Sequence, residues 1–438
     1  MLHSPIDNQK GTRKLLVDLL FKKGYCLCIP DPNLIKLQLE QVRSSWIQRF
    51  LLSKNTLEFS VVPMFMLIFI KNKCLTADQN KQLLELIEIL ISQAEVDTID
   101  QIFFASNIQQ MAWIYNQLAE LISFTLEDFV SSDKNSKRIM TMAAAIELLF
   151  NKASLFTVTK FTLNTENNGF NILHKLFYSI AYESLHPTQI IYLSAISKKI
   201  IAKTTNFGIE TLSFQIQRNG FSFIWSVLGT WLQLVFEPVN SNQFKVNHYT
   251  NLINCLFKKI HVEKLSSILL ENEAKGYIII LRYLFFQQFR FNPFHYDLRE
   301  SCHFKRWCQK IFSALSLQEI ELILNNLSLL LSNDSHLSQN DRQQLMQNFF
   351  TYLLEFCHLQ PLEMTRLREL QEQLEDRFFP SNEVIKFFKQ LRVCCSFFNP
   401  AKLLSSNRSK KGEIFLYESN DLLIPECARL NTNYLTMK

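Results

Sequence analysis

Residues 76–91 read TADQNKQLLELIEILI and specify one amphipathic helix. Thr76 and Gln79 have the spacing of a capping box, in which each side chain bonds to the backbone N–H of the other residue. The apolar residues that follow recur at the intervals of a single helix face, and they are Leu83, Leu84, Leu86, Ile87, Leu90 and Ile91. The stretch therefore predicts a helix that packs its apolar side against a neighbour.

Similar start signals recur along the chain. Asp31 and Pro32 have the residue types preferred at the N-cap and at the first position of a helix. Ser316 and Glu319 form a second capping box. Further helices are predicted to begin at Pro187, Pro361 and Ser381. Sustained alternation of apolar and polar residues is scarce, and only residues 413–417 have the pattern of a short strand.

Glycine is nearly absent from the chain. The sequence has 8 glycines in 438 residues, where average usage of about 7% gives roughly 30. Tight hairpins, bulges and phosphate-binding loops depend on glycine, whereas helices do not. We therefore predict an all-α protein, an elongated helical stack or α-solenoid-like array of antiparallel helix pairs with about eighteen helices.

The length of 438 residues exceeds the roughly 250–300 residues at which a single hydrophobic core stops growing and a chain divides into domains. We predict an N-terminal helical domain over residues 1–237, a C-terminal helical domain over 248–399, and a polar, basic and partly disordered tail over 400–438. No fixed-period repeat motif is present. Degenerate two-helix repeats of about 40 residues stay open as an interpretation.

The ten cysteines are scattered, without a repeated C-x-x-C, which favours a reducing compartment. The N-terminus lacks the apolar segment of a signal peptide. We expect a cytoplasmic protein, or one peripheral on the cytosolic face of a membrane. Residues 219–236 carry no charge over 18 residues. We interpret them as a buried helix, with a membrane-embedded helix as the alternative.

Short catalytic motifs are missing: the sequence has no G-x-G-x-x-G, no P-loop, no H-E-x-x-H and no G-x-S-x-G. We expect no cofactor and no metal. The weak metal candidates are His295, Cys302, His303 and Cys308, but the two cysteines lie about 240° apart around one helix. We interpret them as core cysteines with surface histidines. An enzyme would need a pocket that holds two or more of His174, His248, His261, His295 and Cys302 with a carboxylate.

Charge is unevenly distributed although the net charge is only +6. Residues 78–133 hold ten acids and one base, and the predicted acidic face consists of Glu85, Glu88, Glu95, Asp97 and Asp100. Residues 386–411 hold seven bases and no acid, and the predicted partner or lipid contacts are Lys386, Lys389, Arg392, Arg408, Lys410 and Lys411. The two segments are either mutually compensating or two docking surfaces.

Residues 384–398 form a basic amphipathic pattern with an aromatic side. This pattern predicts either the closing helix of the stack or a segment that binds an anionic membrane. A second basic stretch with aromatic residues, 282–310, resembles a base-stacking surface, but the modest net charge argues against nucleic acid as a partner.

The sequence favours a helical protein-interaction scaffold or adaptor, membrane-peripheral through the segment Ser381–Lys411. The alternative is an enzyme without short motifs, such as a bacterial effector acting in a host cell, whose site converges from distant helices. A protein partner is expected, and the oligomeric state is not specified by the sequence.

Overall fold

The computed structural model describes residues 31–53, 60–71, 75–104, 108–123, 133–164, 171–216, 221–236, 243–261, 264, 298–313, 315–333, 339–357 and 359–378. Within these ranges the chain forms seventeen α-helices and no β-strand, and Ile216 and Ser222 form an isolated antiparallel bridge. The predicted all-α stack is therefore confirmed. The predicted short strand at 413–417 and the predicted tail lie outside the described residues.

The helices are numbered here in chain order. The first nine are α1 Pro32–Glu40, α2 Ser44–Leu52, α3 Val61–Lys71, α4 Ala77–Gln93, α5 Val96–Phe104, α6 Ile108–Ser123, α7 Asp133–Lys152, α8 Leu155–Leu163 and α9 Ile172–Tyr182. The next eight are α10 Pro187–Lys203, α11 Asn206–Phe214, α12 Phe223–Phe236, α13 Gln243–Lys259, α14 Leu298–Phe312, α15 Leu317–Asn333, α16 Gln339–Phe356 and α17 Pro361–Phe378.

The helix starts predicted at Asp31–Pro32, Thr76 and Ser316 are confirmed by their hydrogen bonds, and helices also begin at Pro187 and Pro361 as predicted. The start predicted at Ser381 lies outside the described residues. The Thr76 N–H donates to Gln79 Oε1 at 2.9 Å, and the Gln79 N–H donates to Thr76 Oγ1 at 3.2 Å. The Ser316 N–H donates to Glu319 Oε2 at 2.7 Å. Asp31 accepts the Asn33 N–H at 3.0 Å ahead of α1. These bonds satisfy N–H groups that have no partner inside the helix, so each start is encoded within one turn of sequence.

Contacts group the chain into two units, Met1–Leu212 with Asn240–Lys259, and Ser213–Val239 with Ile260–Lys438. This grouping places α12 in the second unit and α13 in the first. The predicted division, with its boundary between residues 237 and 248, gives each domain one continuous stretch of chain and stays a prediction.

Four long helices form the centre of the first unit. α4 packs against α7, α7 against α10, and α10 against α13. Between successive long helices the chain forms a nine-residue helix, α5 or α8 or α11. Before α7 and before α10 a further helix, α6 or α9, also lies in this unit. From α4 to α13, every third helix along the chain therefore joins the same row.

Lysines at the ends of the long helices fix their register. Lys152, Lys203 and Lys259 are the last residues of α7, α10 and α13, and each ammonium group donates to carbonyls at the end of the preceding long helix. The bonds run from Lys152 to Ser92 O at 3.5 Å, from Lys203 to Asn151 O at 2.7 Å and Ala153 O at 2.9 Å, and from Lys259 to Ala202 O at 2.9 Å and Thr204 O at 3.1 Å. The four helices are therefore parallel, with their C-terminal ends aligned. The lysines also complement the negative end of the helix dipole.

Replacing Lys203 by methionine is expected to lower the free energy of unfolding by about 1–2 kcal/mol. Methionine keeps the apolar stem but leaves two terminal carbonyls of the α7 end without their charged donor. Urea unfolding followed by circular dichroism measures the loss. The matched control is Lys258→Met, at an exposed lysine of α13, which should change stability by less than about 0.5 kcal/mol. Equal losses in the two variants would contradict the capping role.

A second set of bonds joins the short helices. The residue that immediately precedes each of α5, α8 and α11 donates its backbone N–H to the side chain of the fifth residue of the previous short helix. The pairs are Glu95 to Gln48 Oε1 at 2.8 Å, Ser154 to Asp100 Oδ1 at 2.9 Å, and Thr205 to Thr159 Oγ1 at 2.9 Å. The last junction is tight, because a Cβ atom on Gly208 would lie 2.5 Å from Thr159 Cγ2.

The core of the first unit is rich in phenylalanine, as the composition predicts. Phe103, Phe150 and Phe161 from α5, α7 and α8 are fully buried. Their ring centroids lie 5.6–5.8 Å apart. Such pairs stabilise by about 0.5–1.5 kcal/mol beyond area burial. The cluster therefore binds one long helix to two consecutive short helices.

In the second unit, α15 packs against α16 and α17, and α14 packs against α16. Trp231 of α12 is buried and meets Trp307 of α14 edge to face, with 5.0 Å between the ring centroids. Trp225, one and a half turns earlier on α12, is also fully buried. The burial of both tryptophans agrees with the prediction that residues 219–236 include a buried helix.

Across the part of the chain that is described, no single helix has both the length and the apolar character to cross a membrane. The bent pair Ser136–Lys152 and Leu155–Leu163, at 118° to each other, passes the same test of length and composition when taken together. These two segments supply the buried rings of Phe150 and Phe161 described above.

Candidate interaction surface

The four long helices expose the same positions to solvent. On each of them the residues 1, 4, 5, 8, 12 and 15 places before the last residue are exposed or half-buried. These residues are Asp78, Lys81, Glu85, Glu88, Ile89 and Ser92 on α4, and Lys137, Met140, Ala144, Glu147, Leu148 and Asn151 on α7. They are Thr188, Ile191, Ala195, Lys198, Lys199 and Ala202 on α10, and Phe244, Asn247, Asn251, Asn254, Cys255 and Lys258 on α13. We refer to this set as the long-helix face.

The lysine bonds at the helix ends place equivalent positions of the long-helix face at the same height. Because α4, α7, α10 and α13 are parallel and aligned, each of the six positions forms a line of four residues across the row. The intervening residues 2, 3, 6, 7, 10 and 13 places before each end are buried on all four helices. The surface is therefore a continuous face of the row.

The middle of the long-helix face is apolar. Met140 of α7 and Ile191 of α10 occupy the same position on neighbouring helices, and their exposed fractions are 48% and 46%. Ala144 and Ala195 occupy the position one turn further along, where α4 and α13 have Glu85 and Asn251. Two small side chains therefore lie next to two large apolar ones.

The charge of the long-helix face changes sign across the row. On α4 the six positions hold three acids, Asp78, Glu85 and Glu88, and one base, Lys81, which lies 3.7 Å from Glu85. The six positions of α10 and the six of α13 hold Lys198, Lys199 and Lys258 and no acid. The face is thus acidic at one edge and basic at the other.

Between these edges, Glu147 on α7 interacts electrostatically with Lys199 on α10. Partial burial raises the pKa of the Glu147 carboxyl, and the Lys199 ammonium acts in the opposite direction. Lys198 lowers the pKa of the His248 imidazole on α13, in addition to a larger effect of burial. These couplings agree with side chains that meet across adjacent helices of the row.

The predicted acidic face divides into two groups. Glu85 and Glu88 belong to the long-helix face. Glu95 and Asp100 also bond within the fold: the exposed Glu95 carboxylate accepts the Ser44 hydroxyl at 2.9 Å, and the half-buried Asp100 accepts the Ser154 N–H. Asp97 is exposed in the first turn of α5, where a negative charge suits the helix dipole. Charge counting alone could not show which acids also bond to other parts of the fold.

The weak metal candidates are spread over different environments. His303 is half-buried on α14, with its ring centroid 6.2 Å from that of Trp307. Cys308 is buried on the same helix, and burial raises the pKa of its thiol. Cys302 lies within α14, and His295 lies outside the described residues. Where side chains are described, no three or more His, Cys, Asp and Glu residues form a group that could hold a metal ion.

The predicted basic contacts lie beyond the last described residue. Lys386, Lys389, Arg392, Arg408, Lys410 and Lys411 all fall in 379–438, as does the amphipathic segment at 384–398. Their roles stay predictions.

The histidines considered for an enzyme site have distinct surroundings. His174 is on α9, and burial lowers the pKa of its imidazole to about 4. His248 is half-buried on α13, with its ring centroid 4.6 Å from that of Phe244. His261 follows α13 and is exposed. A buried imidazole with so low a pKa is neutral at physiological pH.

Titration of His174 is expected to destabilise the fold as the pH falls from 6.5 to 4. The folded state keeps the imidazole neutral, whereas the unfolded chain binds a proton below pH 6.5. Stability is fully present above pH 6.5 and is lost at about 1.4 kcal/mol per pH unit on acidification. Urea unfolding at several pH values measures the slope. His174→Gln should reduce the slope, and an unchanged slope in that variant would refute this origin.

A separate exposed feature lies on the short helices. Phe156 is the second residue of α8 and Phe207 the second residue of α11, and their exposed fractions are 73% and 75%. The Thr159–Thr205 bond and the close approach of Gly208 to Thr159 hold the start of α11 against the middle of α8. Composition did not predict either surface, because exposure within a helical pattern depends on which neighbours pack there.

No protein-family model, no curated protein and no solved structure matches this chain. The function is therefore argued from the surface described above.

Proposed function

We propose that this chain is a helical protein-interaction scaffold whose long-helix face binds a protein partner. The observation that supports the proposal is the exposure of the same six positions on four aligned helices. Core packing alone does not require two large apolar side chains, Met140 and Ile191, to stand in solvent beside each other. Protein interfaces combine an apolar centre with a polar rim, which is the composition of this face.

The first unit is proposed to consist of three-helix repeats: α2–α4, α5–α7 and α8–α10. Three features support this: every third helix joins the row, a terminal lysine bonds to the preceding long helix, and each short helix is joined to the next through its fifth residue. Stacked repeats contact mainly their neighbours and present an extended surface, which suits a scaffold.

The charge pattern favours a protein over a nucleic acid. A polyphosphate backbone requires basic side chains along its whole length. The α4 edge of the long-helix face, with Asp78, Glu85 and Glu88, would repel such a ligand. A polypeptide can present basic, apolar and acidic side chains in turn and so match all parts of the face.

Site-specific photo-crosslinking tests the proposal. The full chain with p-benzoylphenylalanine in place of Ala195, at the centre of the face, is irradiated in an extract of cells that produce it. A discrete protein adduct is expected. The same photoreactive residue at Gln101, an exposed position on α5 outside the face, is the matched control. The proposal fails if Ala195 gives no adduct, or only the adducts that Gln101 also gives.

A further inference from the structure

We infer that the long-helix face takes a polypeptide segment of polarised charge, with a basic end over α4, an apolar middle over Met140 and Ile191, and an acidic end over α10 and α13. This inference rests on the proposed function and specifies the chemistry of the partner. It follows from three properties of the face: its dimensions, the sizes of its side chains and its charge.

The dimensions set the length of the segment. Packed helices lie about 8–10 Å apart, so the row from α4 to α13 spans about 24–30 Å. A bound helix at about 1.5 Å per residue would need about 16–20 residues to cross it. An extended strand at about 3.3 Å per residue would need about 7–9. A short segment of a partner is therefore sufficient to reach both charged edges.

The sizes of the side chains favour an apolar side chain at the centre of the segment. The small residues Ala144 and Ala195 are flanked along their helices by Met140 and Ile191 on one side. Glu147 and Lys198 lie on the other side, three residues further along their helices. An apolar side chain placed over the two alanines covers Met140 and Ile191, and both exposed groups lose contact with water.

The charges at the two edges act independently on a ligand. α4 and α10 are two helix spacings apart, about 16–20 Å, which is longer than the screening length of about 8 Å at physiological ionic strength. The electrostatic effects of Glu88 on α4 and Lys198 on α10 therefore do not cancel for a bound segment. A ligand whose charges all have one sign is attracted at one side of the face and repelled at the other. A ligand with one basic and one acidic end is attracted at both sides.

Fluorescence anisotropy with synthetic peptides tests this inference on the full chain. The probes are 20-residue peptides of one composition: four lysines, an alanine–leucine middle and four glutamates. One has the charges in separate terminal blocks, a second has the blocks reversed, and a third has the charges interleaved. At least one block peptide is expected to bind at least about tenfold more tightly than the interleaved peptide, a difference of about 1.4 kcal/mol.

Charge reversal on the protein tests each edge separately. Glu88→Lys and Lys198→Glu should each weaken binding of the block peptide by about tenfold or more. Asp97→Lys and Lys160→Glu, which reverse exposed charges on short helices outside the face, should leave it within about twofold. Circular dichroism and the urea midpoint establish that each variant is folded, and a variant that unfolds is replaced by Glu88→Gln or Lys198→Gln.

The outcomes separate this inference from the proposed function. Equal binding of block and interleaved peptides, no binding of any peptide, or indifference to both reversals overturns the inference. Two further probes carry eight lysines or eight glutamates in the block positions, and tighter binding of either one also overturns the inference, in favour of a partner of one sign. If the Ala195 crosslink forms in those cases, the scaffold function stands without the polarised segment. If the crosslink is also absent, the inference and the proposed scaffold function are both refuted.

Discussion

Replacing Arg138 by methionine is expected to lower the free energy of unfolding by about 3–5 kcal/mol. Arg138 lies on α7 with only 3% of its side chain exposed, and its Nη2 donates to Glu120 Oε1 of α6 at 2.9 Å. Without the guanidinium, the Glu120 carboxylate remains largely buried with its charge uncompensated. Urea unfolding of the full chain, followed by circular dichroism, measures the loss.

A double variant separates the ion pair from simple packing. Arg138→Met with Glu120→Leu removes both charges, and it is expected to be more stable than Arg138→Met alone, since no uncompensated charge remains. Lys258→Met, at an exposed lysine of α13, is the matched control and should change stability by less than about 0.5 kcal/mol. If the double variant is the least stable of the three, the explanation by an orphaned charge is wrong.

Truncation of Trp231 to alanine is expected to cost about 3–5 kcal/mol in the second unit. The indole is fully buried on α12, and its ring packs edge to face on Trp307 of α14. Alanine removes that contact and leaves a cavity that the helices fill only in part. The urea midpoint and the tryptophan emission of the full chain report the loss.

The conservative substitution Trp231→Phe keeps an aromatic ring against Trp307 and should recover more than half of the stability lost in the alanine variant. Ser226, a half-buried residue on the same helix, offers a control: Ser226→Ala should cost less than about 1 kcal/mol. A Trp231→Ala variant with the stability of the Ser226→Ala variant would show that this contact does not hold α12 and α14 together.

The helices themselves were predictable because their signals are local. The Thr76–Gln79 and Ser316–Glu319 capping boxes each act within one turn, and the structure has the predicted bonds at both. The scarcity of glycine predicted the absence of a sheet, and the described residues contain isolated bridges such as Ile216–Ser222 but no strand. Local chemistry of this kind needs no knowledge of distant partners.

The surface was less predictable, as the acidic residues illustrate. Five acids were assigned to one face from their density in the sequence. Glu85 and Glu88 lie on the long-helix face, but Asp100 accepts a backbone N–H from Ser154, 54 residues away. Hydrogen-bond partners at that separation leave no periodic trace, so sequence counting treated a structural acid and a solvent-facing acid alike.

The sequence alone determined an all-α chain, the beginnings of its helices and the aromatic character of its core, because capping and apolar periodicity act over a few residues. The tertiary structure decided that every third helix from α4 to α13 joins one row and that Met140 and Ile191 stand side by side in solvent. The register of that row depends on bonds such as Lys203 to Asn151 O, which join residues 52 positions apart. Such bonds form only once the helices have packed.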